Sequence, residues 1–308
     1  MRYADDDRES DHVEDRRGEG YGGGFALPLG GGGLSLTSLL VIGAVCLMFG
    51  INPLQLLSAI DGVPSMPRGE PVPTRRSADD IPGLPGQRSV AAHDDAMTHF
   101  VKRVLADTED TWGRVFAAAG KRYDPPTLVL FSGRTSSACG TGQAAMGPFY
   151  CPLDQKVYID LSFYDELKRR FHAPGDFAQA YVIAHEVGHH VQKLLGVADT
   201  VQRLKERAGD PVRANGLQVR MELQADCLAG VWASLNDQVK NRLQPGDVEA
   251  GLNAAAQIGD DTLQRRAQGR VVPETFTHGS SAQRVGWFRK GLETSDMRAC
   301  DTFNAREP

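Results

Sequence analysis

The sequence lacks any excess of basic charge, and its aromatics are few, at 7% of residues. Its 34 Lys and Arg are outnumbered by 39 Asp and Glu, giving a net charge of −5 and a pI near 5.9. No positive field gathers phosphates, and no Lys/Arg stripe interleaved with aromatics appears, so nucleic acid is excluded as a partner. Internal repeats of about 20 to 50 residues are also absent, which sets aside repeat architectures. The one long apolar run is not closed by an A-x-A cleavage site, which argues for a retained segment over a removed signal peptide. Apolar content is not lacking. With 41% hydrophobic residues in 308, the chain can build a compact domain with a core, so wholesale disorder is excluded.

Composition changes along the chain. The opening "MRYADDDRESDHVEDRRGEG" has almost nothing to bury, and with the Gly-rich stretch after it, residues 1–33 are expected to be a disordered tail. Residues 34–60, "LSLTSLLVIGAVCLMFGINPLQLLSAI", carry no charge and have about the length a helix needs to cross a bilayer. They read as one transmembrane helix anchoring the protein. Arg16 and Arg17 before it are balanced by Arg68, Arg75 and Arg76 after it, so the positive-inside count leaves orientation open. Residues 61–88 hold Pro64, Pro67, Pro71, Pro73, Pro82 and Pro85 and are expected to form an extended linker. The folded domain is expected over 89–308. It begins with an amphipathic helix over 94–119, continues with short strands at 127–131, 147–151 and 156–163, and is mainly helical thereafter. The fold class is therefore α+β, mainly helical with a small sheet.

Chemistry concentrates in "VIAHEVGHHVQ", residues 182–192, inside a predicted helix with Asp176 as N-cap, Gln179 three residues on and Gly196 as the stop. At 100° per residue, Phe177, Ala180, Ala184, Val187, Gly188, Val191 and Leu195 form the core stripe. His185 and His189 lie together at its edge, about 40° apart, so both imidazoles can meet one ion. Glu186 sits further round, suited to a water beside that ion, which is the division of labour of H-E-x-x-H. His190 points away from that edge. A second helical pair stands in "MELQADCLAGVW", where Glu222 and Asp226 are one turn apart among apolar neighbours that penalise unpaired carboxylates. Two His and one Glu give Zn²⁺ three protein ligands and an open fourth position, and Asp226 can accept a hydrogen bond from a ligand imidazole and fix its orientation.

These blocks, together with "CGTGQAAMGPFYCPLDQKVYIDLSF", "QIGDDTLQRRAQGRVVPETFTHGSSAQRVGWFRKG" and "CDTF", resemble the neutral zinc metallopeptidase family, membrane-anchored bacterial proteins of the gluzincin type. The resemblance covers roughly residues 111–303 and gives the acidic tail no support. It implies a zincin-like fold, a zinc cofactor, His185 and His189 as ligands, Glu222 as third ligand, Glu186 as general base, and a peptide or protein as substrate. It leaves cleavage preference and oligomeric state open.

Beyond the motif, "THGSSAQRVGWF" offers His278 as a donor for a developing oxyanion, since Ser280 or Ser281 as N-cap places His278 on a loop before a helix. Arg284 in the same stretch is a second candidate donor, with a structural ion pair as the preferred reading. Tyr150 fits an edge strand that holds an extended peptide, and fits a core position equally well. Cys46 falls in the apolar run, leaving Cys139, Cys151, Cys227 and Cys300, for which three pairings exist. Joining Cys139 to Cys151 closes a short loop and leaves Cys227 for Cys300. Cys227 as a thiolate ligand is disfavoured because it faces away from Glu222. Disulfides suit an oxidising space, so the tail is expected in the cytoplasm and the catalytic domain outside it. Two functions stand: a membrane-anchored zinc endopeptidase, and a non-catalytic zinc-stabilised domain that holds a protein partner in the same cleft.

Overall fold

A long helix, α1 (Pro85–Ala118), starts at the last proline of the Pro-rich run and leads into a small sheet. The structure is a computed structural model that describes residues 1–19, 85–144, 147–169 and 175–308 of the 308-residue chain. The chain divides into two units, Met1–Tyr21 with Gly86–Pro308, and Gly22–Pro85. The second is described only at Pro85, so the first alone is treated; the helix also takes in residues 85–88, which corrects the extended linker expected there. The expected crossing at 34–60 lies outside the described residues. Among the described residues, no helix is long and apolar enough to cross a membrane.

The strands are β1 (Val13–Asp15), β2 (Thr127–Phe131), β3 (Arg134–Ser137), β4 (Gly140–Gln143), β5 (Phe149–Cys151) and β6 (Lys156–Asp160). Four of them form one sheet in the order β1-β2-β6-β5, parallel except for the β5–β6 pair. β3 and β4 make a separate hairpin that the sequence reading missed, because "RTSS" and "GTGQ" show no apolar alternation. Alternation along β2 sends Leu128 and Leu130 into the main core and Val129 and Phe131 into a smaller cluster on the other side. The strand expected over 156–163 stops at Asp160, whose carboxylate accepts the Ser162 N–H at 2.9 Å and so opens α2 (Ser162–Arg169).

The tail is folded over residues 1–19, which corrects the expectation of disorder there. Its β1 adds to the sheet, with Val13, Glu14 and Asp15 in register with Leu128, Val129 and Leu130. Its charges find partners far along the chain. Arg8 meets Glu109 and Asp110, Glu14 meets Lys156, and Arg242 reaches Asp7 at 2.6 Å and the buried Asp107 at 3.0 Å. A composition rule for disorder assumes that such charges stay solvated, and here they are neutralised pairwise.

The helical half comprises α3 (Asp176–Leu194), α4 (Val197–Arg207), α5 (Pro211–Lys240), α6 (Asp247–Gln257), α7 (Asp260–Gln268) and α8 (Ser281–Thr294). The N-cap of α3 is Gly175, not Asp176, which is the first helical residue and places its carboxylate where the helix dipole favours it. Two close approaches set the site. On α3, a Cβ at Gly188 would lie 3.1 Å from the Ala225 carbonyl oxygen, and on α5, a Cβ at Gly230 would lie 2.1 Å from that of Phe288 on α8. Gly230→Ala forces α5 and α8 apart and is expected to destabilise the protein by about 1–3 kcal/mol or more. Urea unfolding with an unshifted midpoint would speak against that approach. Cys139 is bonded to Cys151, and Cys227 on α5 to Cys300 in the C-terminal turn.

Candidate metal centre

The core-facing stripe of α3 turns its edge toward α5, and the Gly188 contact lets the two backbones approach closely enough for side chains of both helices to converge. His185 Nε2 lies 3.2 Å and His189 Nε2 3.4 Å from the same oxygen, Oε2 of Glu222. Ligand atoms about 2.1 Å from a tetrahedral ion sit about 3.4 Å from one another, so this spacing is that of a zinc site. Among the described residues these three are the one group whose ligand atoms cluster in this way.

The partners behind the three ligands decide which atoms face inward. His185 Nδ1 lies 2.8 Å from Asp226 Oδ1. Burial alone would raise the Asp226 carboxyl, but Arg284 and His185 hold it down at about 2. An ionised carboxylate only accepts, so His185 donates from Nδ1. Behind His189, the Gln192 amide donates through Nε2 to the Met221 carbonyl at 2.8 Å, which turns its Oε1 to His189 Nδ1 at 2.9 Å. His189 therefore also donates from Nδ1. Both Nε2 lone pairs and a carboxylate then converge, and a positive charge between them satisfies all three. The same demand appears as basicity: burial opposes a charged His185, yet Asp226 and Glu222 raise its pKa to about 10. His189 is raised as well, by Glu222 against the effect of burial. Each proton serves one ring, whereas one zinc serves both rings and the carboxylate together. The donor set, two imidazoles and one carboxylate with room for a fourth ligand, fits a catalytic zinc.

Asp226 is fully buried and carries more than the histidine. Arg284 clamps it through Nε at 2.8 Å and a terminal nitrogen at 2.9 Å, and the Tyr181 hydroxyl donates to it. Arg284 is thus held in a structural ion pair. His190 is not brought to the centre: its Nε2 donates to the Asp124 carbonyl at 2.7 Å, and its Nδ1 accepts from the Tyr150 hydroxyl at 3.0 Å. Burial lowers its pKa, in keeping with a neutral ring that both donates and accepts. The third histidine of the motif thereby ties β5 to α3. Cys227 is spent in its disulfide and is no ligand.

A cleft of about 1100 Å³ opens over the centre. His185, Glu186, His189, Glu222, Tyr150 and His278 all line it. Glu186 is buried, and among the described residues its carboxylate takes no hydrogen bond or ion pair, which leaves it open to a molecule in the cleft. His278 lies half-exposed on the loop before α8, where Ser280 is the N-cap in a capping box with Gln283. Its loop is pinned by Asp260, which accepts the backbone N–H groups of Thr277, His278 and Gly279 on Oδ2 and faces His278 Nδ1 at 3.2 Å on Oδ1. That contact raises the His278 pKa. Sequence reasoning missed Asp260, Gln192 and Gln218. Asp260 begins a helix in "QIGDDTLQ" and had a signal only as a first-turn acid; the two glutamines had none.

Comparison with known proteins points the same way. The family model described as "Putative neutral zinc metallopeptidase" matches residues 1–303. "Uncharacterized protein YpfJ" of Escherichia coli strain K12 is 49% identical over 301 residues, which is 96% of this chain and 96% of that protein. "Uncharacterized protein Rv2575" of Mycobacterium tuberculosis strain H37Rv is 45% identical over 195 residues, covering 60% of this chain and 64% of that protein. No solved structure matches.

Proposed function

The chain belongs to the "Putative neutral zinc metallopeptidase" family, zinc is its cofactor, and from that premise we propose that it hydrolyses peptide bonds in the cleft over His185, His189 and Glu222. The observation that carries this reading is an unpaired, buried Glu186 beside a three-ligand zinc site. Zinc, when bound, supplies Lewis acidity toward water and the scissile carbonyl. Glu186 takes the proton of the attacking water and passes it to the leaving amine. Asp226 and Gln192 keep both imidazoles in the tautomer that offers Nε2. His278 lines the cleft, and as the imidazolium that Asp260 favours it donates from Nδ1 to Asp260 and keeps a second proton, on Nε2, for the developing oxyanion. The cleft-lining edge strand β5, with Tyr150 locked by His190, offers backbone groups to an extended peptide. The other reading, a zinc-stabilised domain that holds a protein partner, shares the cleft but leaves Glu186 without a task.

We further propose attachment to the cell membrane through residues 34–60, with the body outside the cytoplasm. Two disulfides support the compartment. The tail shares a sheet with the body, which a single crossing between them would forbid, so the proposal has residues 34–60 hold the membrane without one net crossing and both tail and body outside, in place of a transmembrane helix with a cytoplasmic tail. Impermeant thiol reagent applied to intact spheroplasts should label Asp6→Cys and Glu293→Cys alike; labelling of only one would refute it.

The function is tested on the full chain by metal analysis beside a peptide-library digest. The expected result is about one zinc per chain, cleavage that stops on chelation and returns with zinc, and zinc loss in Glu222→Ala. His278→Ala should keep its zinc and cleave about 10²-fold more slowly. A zinc-loaded protein that cleaves nothing in the library would favour the binding domain.

A further inference from the structure

Of the three ligands, Glu222 is the one whose geometry is not set by a ring. A carboxylate can bind with one oxygen or two, and its side chain has rotamers enough to swing away, so something must hold it. Gln218 stands one turn earlier on α5, the spacing at which side chains on one helix face meet. Its Nε2 donates to Glu222 Oε1 at 2.7 Å, leaving Oε2 for the two imidazoles. Which way the Gln218 amide points is fixed chemically from its other end. Lys205 on α4 places Nζ 2.6 Å from Gln218 Oε1, and an ammonium group only donates, so it selects the oxygen. The NH₂ group is then turned to the carboxylate, which only accepts. Both residues line the cleft.

We propose that Gln218 is a positioning residue for the metal: it ties down one oxygen of Glu222 so that the other alone is offered, and Lys205 sets the direction of its amide. The proposal rests on the zinc-site reading above. It differs from the support given to the histidines, where Asp226 fixes a tautomer; here an amide selects between two equivalent oxygens. Neither Gln218 nor Lys205 touches the ligand position itself, so the effect appears in how well and in what geometry metal is held.

The test uses the full-length protein as wild type, Gln218→Leu and Lys205→Met, with zinc affinity measured by competition against a chelator. Loss of such a supporting hydrogen bond weakens metal affinity by about 10–100-fold, and Gln218→Leu is expected in that range. Lys205→Met, which frees the amide to flip but keeps it in place, should weaken binding less. A second readout is the visible spectrum of the cobalt(II)-substituted proteins, where a released carboxylate that binds through both oxygens raises the coordination number and lowers the absorption. Gln218→Leu should show that weaker spectrum while its circular dichroism stays that of the wild type. A Gln218→Leu protein with wild-type zinc affinity and cobalt spectrum overturns the proposal and leaves the zinc site standing. A wild-type chain that takes up no zinc overturns the zinc site, and this proposal with it.

Discussion

A Glu186→Gln protein is expected to bind zinc as the wild type does and to lose peptide hydrolysis by about 10²–10⁴-fold, the range that a positioned general base supplies. Size and shape barely change, since an amide replaces a carboxylate of nearly the same volume. The change is in proton affinity: an amide oxygen cannot take the proton from water at neutral pH. Zinc should stay because Glu186 is not among the converging ligand atoms, and because each of those atoms is held from behind by Asp226, Gln192 or Gln218. Stability should also hold or rise slightly, as a buried carboxylate without a partner among the described residues is exchanged for a neutral group. Measurement is by metal content and by cleavage of a peptide identified in the library digest. Turnover equal to wild type would remove Glu186 from the chemistry and end the proposed mechanism.

How far the site was legible in the sequence follows from which forces are local. His185, Glu186 and His189 were readable because one helix places them, and its period is known in advance. Glu222 and Asp226 were readable as a second helical pair, although their convergence on α3 depends on the Gly188 approach to Ala225, which no pattern announces. Gln218 and Gln192 were not readable. A glutamine is an ordinary surface residue of helices, and its role here depends on what faces it across α3, α4 and α5. The same holds for Asp260, one first-turn acid among several until its carboxylate meets three N–H groups of the His278 loop. Strand β2 was legible from "TLVLF", whereas the β3–β4 hairpin, built of small polar residues and glycine, offered no apolar alternation. The largest miss is the tail, because its reading rested on composition. Composition counts charges but cannot see that Asp7 finds Arg242, or that Arg8 finds Glu109.

That miss has a measurable consequence: a body trimmed to residues 89–308, which the sequence marks as a complete domain, is expected not to fold stably. Removing residues 1–19 strips β1 from the edge of β2 and leaves the backbone groups of Leu128 and Leu130 on that side unpaired, an exposed edge prone to association. It takes Asp7 from Arg242, which is nearly buried and shares Asp107 with Lys240. Leaving a buried charge with no partner costs about 3–5 kcal/mol; Arg242 keeps Asp107, so losing Asp7 costs less than that, and it is the sum with the lost strand that counts against a total stability of about 5–15 kcal/mol for a typical protein. Arg8, Glu14 and the packing of Tyr3 against Phe100 go with it. The trimmed body should therefore be insoluble, or lose its cooperative unfolding transition in urea, and a peptide of residues 1–19 added in trans should restore part of it. Asp7→Asn in the full chain should lower the midpoint by a smaller step, because the hydrogen bonds to Arg242 weaken while the strand remains. A trimmed body that unfolds cooperatively with the stability of the whole chain would return the tail to the disordered class. It would also remove the reason for placing tail and body on the same side of the membrane.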